Sequence, residues 1–334
     1  MTPHKAIEHI RTSAQLAAIL EVSGWPKPGN VHRTANHSDA RYEHFLAGSI
    51  ALGSSVEAAA LKGLKVARKE IGISKIEVGK LVERAVYDTA NSHHGGNTHL
   101  GVCLLLIPLA AAAGKTFYET DRASPAILRS NVKEIMEATT PMDATAVYKA
   151  IAMASSSHEL GKVSDERAPD LYDEHAERKI LAEKVTLFDV MRQSSSYDTV
   201  ARELVTGMEV AFEVGYKKLM ESFNRTRDIN LATVHAFLRI LSRVPDTFIA
   251  RKIGTKMTSD IRKAVELGRK ETMWISETAE QVLKLGGLTT KEGESSLWEF
   301  DNKLQNLGKD YSPGTTADMT TATLMIALLC GLKF

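Results

Sequence analysis

A helical hydrophobic period runs through almost the whole chain, and it restricts the fold to packed helices. Ile7, Ile10, Ala14, Ala17 and Leu20 fall on one helical face. Val200, Leu204, Met208, Ala211, Gly215 and Leu219 do the same, as do Leu231, Val234, Leu238 and Leu241. No stretch shows the sustained alternation of a half-buried strand, and no Val/Thr run is bounded by hairpin turns. Ala, Leu, Glu, Lys and Met are abundant while aromatics make up 6% of residues, the balance that helix propensity favours. The expected fold is all-α, a single multi-helix bundle domain over residues 1–334, with roughly ten or more helices at usual helix lengths. Ser124-Pro125 and Thr140-Pro141 mark helix starts, with proline at the first turn.

A chain of 334 residues, 43% hydrophobic and 25% charged, can bury a core without disulfides or metals as staples. Its 42 basic residues stand against 41 acidic ones, a net charge of +1. That balance excludes a nucleic-acid coat and a polybasic membrane binder. Cys103 and Cys330 sit in apolar helical runs without metal-ligand spacing. They read as reduced core thiols, which fits a cytoplasmic compartment. The start of the chain is amphipathic and carries no apolar signal core. The apolar run Val102–Ala113 is about a dozen residues, too short to span a bilayer. Residues 155–177 are the least regular part and form an expected insertion. A lid over a substrate and a solvated excursion are both open to it.

Four short polar segments interrupt the helical pattern. In Trp25–Arg33, two prolines and a glycine end the first helix and present Lys27, Asn30, His32 and Arg33. Such cations on a constrained loop suit a phosphate. They also suit a helix-ending loop with solvated charges. His37-Ser38-Asp39 follows and offers an acid/base or metal-binding carboxylate. The segment His93–Gly101 leads glycines, Asn97, Thr98 and His99 into an apolar helix. Backbone N–H groups at such a start can approach an anion. Its histidine spacing matches no standard zinc motif. In Pro245–Gly254, Asp246 and Thr247 can cap a helix, with Arg251 and Lys252 a turn later. In Tyr311–Asp318, a Pro-Gly turn with Thr315 opens another apolar helix. It can cradle phosphate, hold a cation through Asp318, or serve as a plain cap. Asp198 reads as a cap, an ion-pair partner or a site residue. Glu57 and Glu203 are further candidates to face a pocket.

Together, and in this order, the segments resemble the triphosphoribosyl-dephospho-CoA synthase family, in a divergent, archaeal-type branch. Pro26–Arg33 is similar to its early Pro-Lys-Pro-Gly element ending in Val-x-Arg. Gly95–Gly101 matches Gly-x-Asn-Thr-His-x-Gly. Asp246–Gly254 matches Asp-Thr with a downstream arginine, and Pro313–Asp318 matches Pro-Gly-x-x-Ala-Asp. The resemblance covers nearly the whole chain. His32 stands where the family usually has Asp, Leu100 where it has Lys or Arg, and the stretch from Pro141 to Lys184 looks longer. These departures bear on the acceptor.

The resemblance implies transfer of the triphosphoribosyl group of ATP to a hydroxyl of 3′-dephospho-CoA, with release of adenine. It implies oxocarbenium-like charge on the ribose. Asp39, His99, Asp246 and Asp318 become catalytic candidates. Lys27, Asn30, His32, Arg33, Gly96, Asn97, Thr98, Thr247, Arg251, Lys252, Gly314 and Thr315 become substrate-binding candidates. Asp39, Asp246 and Asp318 become candidate ligands of the Mg²⁺ that would accompany ATP. The partners expected are ATP and a CoA-like or other cofactor precursor, and a homodimer is compatible. Ribosyl transfer to another cofactor precursor and a non-catalytic nucleotide-binding helical protein remain alternatives.

Overall fold

The computed structural model describes residues 2–120, 122–154, 169, 173 and 175–334. Helix α1 (Pro3–Ser23) begins at Thr2, whose hydroxyl accepts from Lys5 N–H, with Pro3 at the first position. Its Ala6, Ile10, Ala14 and Ala17 stripe is buried. After a loop come α2 (Tyr42–Ala51), α3 (Gly53–Ala67), α4 (Val78–Ala90) and α5 (Leu100–Glu119). Helices α6 (Pro125–Glu137) and α7 (Pro141–Ala154) open at the two proline marks read from the sequence. The expected insertion lies almost wholly outside the described residues, and α8 (Ala176–Ala182) already occupies its end.

Helices α9 (Leu187–Ser194) and α10 (Thr199–Thr206) follow. The long face expected from Val200 to Leu219 is broken, because Gly207 turns left-handed at φ 68° and stops α10. Buried Glu203 then accepts from Val210 and Ala211 N–H, each at 2.8 Å, and starts the next stretch. That stretch holds a π-turn, Ala211–Gly215, before α11 (Tyr216–Thr226). Glu203 is thereby a cap. Asp198 is one too, accepting from Ala201 N–H at 2.9 Å. The remaining helices are α12 (Ile229–Arg243), α13 (Thr247–Gly254), α14 (Ile261–Lys284), α15 (Lys291–Leu307) and α16 (Gly314–Leu329). Among the described residues no strand forms, and an isolated bridge joins His32 to Ala35.

Helix α5 is apolar on all sides and lies at the centre. By length and composition it could cross a bilayer, yet 78% of its apolar window is buried inside the protein. Helices α3 and α5 touch backbone to backbone. A Cβ on Gly63 would stand 1.9 Å from Ala111 O, and one on Gly114 would stand 2.0 Å from Ala60 O. Helix α16 packs against both α1 and α5. The starts of α5, α13 and α16 therefore gather beside the loop that follows α1. Glu57, expected to face a pocket, instead makes a 2.7 Å ion pair with Arg11, both of them substantially exposed. The close α3–α5 contact makes Gly63→Ala an overpacking change. It is expected to cost about 1–3 kcal/mol, read as a lower midpoint in urea denaturation. An unchanged midpoint would show that the two helices separate freely.

Candidate active site

The loop after α1 is pinned to α15 by one carboxylate. Gly29, at φ 68°, donates its N–H to Asp301 Oδ1 at 3.0 Å. A Cβ there would also meet Leu304 at 2.7 Å, so only glycine fits. His32 Nδ1 accepts from Thr34 N–H, which leaves Nε2 to donate to Asp301 Oδ2 at 2.9 Å. Asn30 reaches Pro313 O at 3.2 Å. Lys27, expected on a triphosphate, is fully buried and bonded to Glu21, at 2.5 Å to the carboxylate and 3.0 Å to the carbonyl. Arg33 turns outward and donates to Ser23 O at 2.7 Å. Lys27, His32 and Arg33 are thus scaffold residues, because each is spent within the loop or on its supports. His32 does not line the cavity described below, whereas Leu100 does.

The second segment is set by a hydrogen-bond chain whose direction can be worked out. Ser49 Oγ donates to Phe45 O at 2.7 Å, so His99 Nε2 must donate to Ser49 Oγ at 3.2 Å. His99 Nδ1 then accepts from Thr98 Oγ1 at 2.7 Å. Thr98 in turn accepts from His93 Nε2 at 3.0 Å, and His93 Nδ1 accepts from Gly95 N–H at 3.0 Å. Burial, helped by neighbouring His93, pushes the His99 pKa down to about 3. His99 is neutral with both nitrogens engaged. It positions Thr98 and the start of α5, and the acid/base role expected for it has no free atom. Asn97 caps the same helix by accepting from Leu100 N–H at 3.1 Å.

The third and fourth segments meet at Asp246. Its Oδ1 accepts from Phe248 and Ile249 N–H at 2.9 and 3.1 Å. Its Oδ2 accepts from Thr316 N–H and the Thr316 hydroxyl, both at 2.8 Å. Thr247 N–H donates to Thr315 Oγ1 at 3.2 Å, and the Thr247 hydroxyl accepts from Thr199 N–H at 3.1 Å. Asp246 and Thr247 therefore tie helix starts together and stand behind the cavity wall. The expected catalytic and metal role of Asp246 gives way to this one, since both oxygens are in use.

Between these segments lies a cavity of about 390 Å³. Asn30, Asp39, Gly96, Asn97, Thr98 and His99 line it, as do Arg251, Lys252, Gly314, Thr315 and Asp318. Glu21, His37, Phe248 and Lys309 join them. Phe248 carries Lys252 Nζ at 4.3 Å and Arg251 Cζ at 5.4 Å from its ring centre, contacts that hold the cations in place. Arg251 Nε and His37 Nε2 are buried and have no hydrogen-bond partner among the described residues. Buried polar atoms of this kind are normally satisfied, so these suit a ligand. Partial burial tends to raise Asp39, but the Lys309 ammonium at 3.0 Å outweighs it and holds the carboxyl below its usual range. Asp318 behaves oppositely. Enclosure, then the charges of Glu21, Asp246 and Asp198, push its carboxyl well above the usual range, against the Val102 N–H that it accepts. Its oxygen would lie 2.0 Å from a Cβ on Gly101, so glycine at the α5 start is what admits it.

Among the described residues, no group of three His, Cys, Asp or Glu side chains stands close enough to hold a metal ion. Asp39, Asp246 and Asp318 do not converge as the sequence suggested. Glu21 and Asp301 had no motif to announce them. Their one signal is an acid on an apolar stripe, Glu21 after Ala14 and Ala17, and Asp301 between Leu297 and Leu304. The hydrogen-bond chain predicts that His99 keeps its neutral Nε2–H tautomer from pH 8 to about pH 5, given a pKa near 3. Nitrogen NMR of labelled histidine checks this, and an imidazolium signal for His99 in that range would refute it.

Comparison with known proteins agrees with this layout. The family model CitG, ATP:dephospho-CoA triphosphoribosyl transferase, matches residues 7–333. The crystal structure of an Archaeoglobus fulgidus protein assigned as a triphosphoribosyl-dephospho-CoA synthase is similar, with 25% identity and a TM-score of 0.55. The match covers 84% of this chain and 99% of that one. Comparison with curated proteins gives no match. The chain belongs to the ATP:dephospho-CoA triphosphoribosyl transferase family.

Proposed function

We propose that the cavity carries out the family's transfer with the triphosphate of ATP against Arg251, Lys252 and Lys309, and the ribose C1 beside Asp318. The observation that carries this reading is the division of charge around one cavity. Cations come from α13 and the 308–313 loop, and an enclosed carboxyl pair, Glu21 and Asp318, comes from α1 and α16. Arg251 Nε, which has no hydrogen-bond partner among the described residues, gains a phosphate oxygen in this reading. A charge-assisted bond of that type is worth more than a neutral one.

In this reading Asp318, whose carboxyl enclosure raises well above its usual range, supplies the proton that a leaving adenine requires. The C1–N9 bond breaks with its electron pair going to adenine, which takes the Asp318 proton. The acceptor hydroxyl of dephospho-CoA then bonds to C1, and the triphosphate passes over intact. The first turn of α5, with Asn97 and Thr98, lines the space that the ribose would occupy. Glu21 is kept beside Asp318 by buried Lys27. Its own burial pushes it up and Lys27 pulls it down. The magnesium ion expected with ATP rides on the triphosphate in this reading. Asp246 is saturated and Asp39 is paired to Lys309, and among the described residues no group of three His, Cys, Asp or Glu side chains could hold the ion. The walls come from helices of both main apolar clusters, in keeping with one domain. The free thiols of Cys103 and Cys330 fit a reducing, cytoplasmic setting.

Adenine release from ATP, measured with and without 3′-dephospho-CoA, tests the reaction. Acceptor-dependent release is expected, and none under either condition would end this reading. Asp318→Asn is expected to lower kcat by roughly 10²–10⁴-fold with little change in ATP affinity. Since the acid form acts, wild-type activity should fall as pH rises through the raised Asp318 pKa. Arg251→Ala should weaken ATP binding by about 10–100-fold, the equivalent of one charged hydrogen bond, and leave adenosine binding unchanged. Equal losses for both ligands in calorimetry would place the triphosphate elsewhere.

A further inference from the structure

Resting on the transfer reading above, we infer that Glu21 is the carboxylate that faces the ribosyl cation and stabilises it while the C1–N9 bond breaks. The place is a seam where three helices meet. Helix α1 presents Ala18 and Glu21 to the cavity, α16 presents Asp318 and Thr321, and α5 presents Gly101 and Val102. The three helices pack pairwise against one another. A spacing of three residues puts Ala18 with Glu21, and Asp318 with Thr321, on single helical faces. Asp318 accepts from Val102 N–H, and of all charged groups Glu21 acts most strongly on its carboxyl. Glu21 and Asp318 thus share one end of the cavity, and a ribose C1 seated beside Asp318 lies in the same seam as Glu21.

Among the described residues, the acids that line the cavity are Glu21, Asp39 and Asp318. Asp39 is bonded to Lys309 among the cations, and Asp318 gives its proton to the leaving group. Glu21 has the ammonium that a buried carboxylate needs. Lys27 Nζ donates to Glu21 Oε1 at 2.5 Å and to the Glu21 carbonyl at 3.0 Å. Two enclosed carboxyls cannot both ionise readily, so the negative charge settles on the one that holds an ammonium. With Oε1 bonded to Lys27, Oε2 is the oxygen left for a substrate. Lys27 is itself fully buried on the loop that Asp301 fixes at Gly29, and it is the positioning residue for Glu21. A charge fixed in advance in a space poor in water acts on a developing cation far more strongly than it would in solution.

The atoms balance. The C1–N9 electron pair leaves with adenine, which takes the Asp318 proton. Positive charge spreads over C1 and the ring oxygen, and Glu21 faces it without forming a bond. The acceptor oxygen bonds to C1 and its proton passes to water. Asp318 regains a proton from water, and Glu21 ends as it began.

The test is adenine release by the full-length protein with ATP and 3′-dephospho-CoA, in Glu21→Gln and in the double variant Glu21→Ala/Lys27→Met. The glutamine keeps an oxygen for Lys27 and loses the charge. The double variant removes the buried pair as a whole, which spares the fold an uncompensated charge. Both are expected to lose roughly 10²–10³-fold in turnover, the scale of one fixed electrostatic contact, while binding ATP with near-wild-type affinity in calorimetry. Added formate, a carboxylate small enough for the vacated space, is expected to restore at least roughly tenfold of that loss in the double variant and to leave the wild type unchanged. A pair that served only as scaffold predicts a folded double variant with near-wild-type turnover. That result, near-wild-type turnover in Glu21→Gln, or a folded, ATP-binding double variant that formate does not rescue would overturn the assignment of Glu21 alone. Glu21→Gln decides by itself if the double variant does not fold. A wild-type protein that releases no adenine is a different failure, and it would remove the transfer reading with it.

Discussion

Two helix starts are held by a single carboxylate, and the cavity depends on it. Asp246 spends one oxygen on the first N–H groups of α13 and the other on Thr316 near the start of α16. Every helix start leaves donors without intrahelical partners. Here the donors of two starts are satisfied by one buried group, which fixes their separation. Phe248, Arg251 and Lys252 ride on α13, and Thr315 and Asp318 ride on α16. The distance from the cations to the acid is therefore set by a residue that touches neither. Asp301 does the same for the first loop, holding Gly29 and His32 together on α15. Family motifs in this protein mark the brackets of the site as much as its reacting surface.

That division explains how far the sequence could be read. The helices were legible because their buried stripes recur with helical spacing, and the breaks because Pro and Gly punctuate them. The polar segments were legible as a group, and most of their residues do meet at one cavity. Individual roles were not. A buried lysine on a loop looks the same in sequence whether it meets a phosphate or Glu21, since Glu21 lies a turn of helix and a loop away. Asp246 and Asp318 are both acids beside helix starts, yet one is saturated by N–H groups and the other is enclosed near Glu21. His99 drew attention as a catalytic residue in a histidine cluster. Only the fixed direction of its hydrogen bonds shows that no nitrogen is left over.

The electrostatic arrangement follows from the same packing. Lys27 and Glu21 are removed from water together, which is costly unless the pair is well bonded. Enclosure first, and then the carboxylate of Glu21, raise Asp318, because like charges in an enclosed space cannot both ionise readily. Gly101 is what lets Asp318 approach the α5 start at all. The raised Asp318 carboxyl is thus the product of enclosure, a neighbouring buried carboxylate and a helix start that a missing side chain leaves open.

The position of α16 has a consequence for how the molecule is made. It packs against α1 and α5, and it follows every other wall of the cavity in chain order. While the polypeptide emerges from the ribosome, the stripe of α1 that faces α16 stays uncovered until after every other wall of the cavity has been translated. The charges of Glu21 and Lys27 wait with it, near a surface that is still wet. Incomplete chains of this kind expose apolar surface and are prone to aggregate. The arrival of one helix seals the interior and completes the pocket in the same event, so a chain interrupted before it has neither.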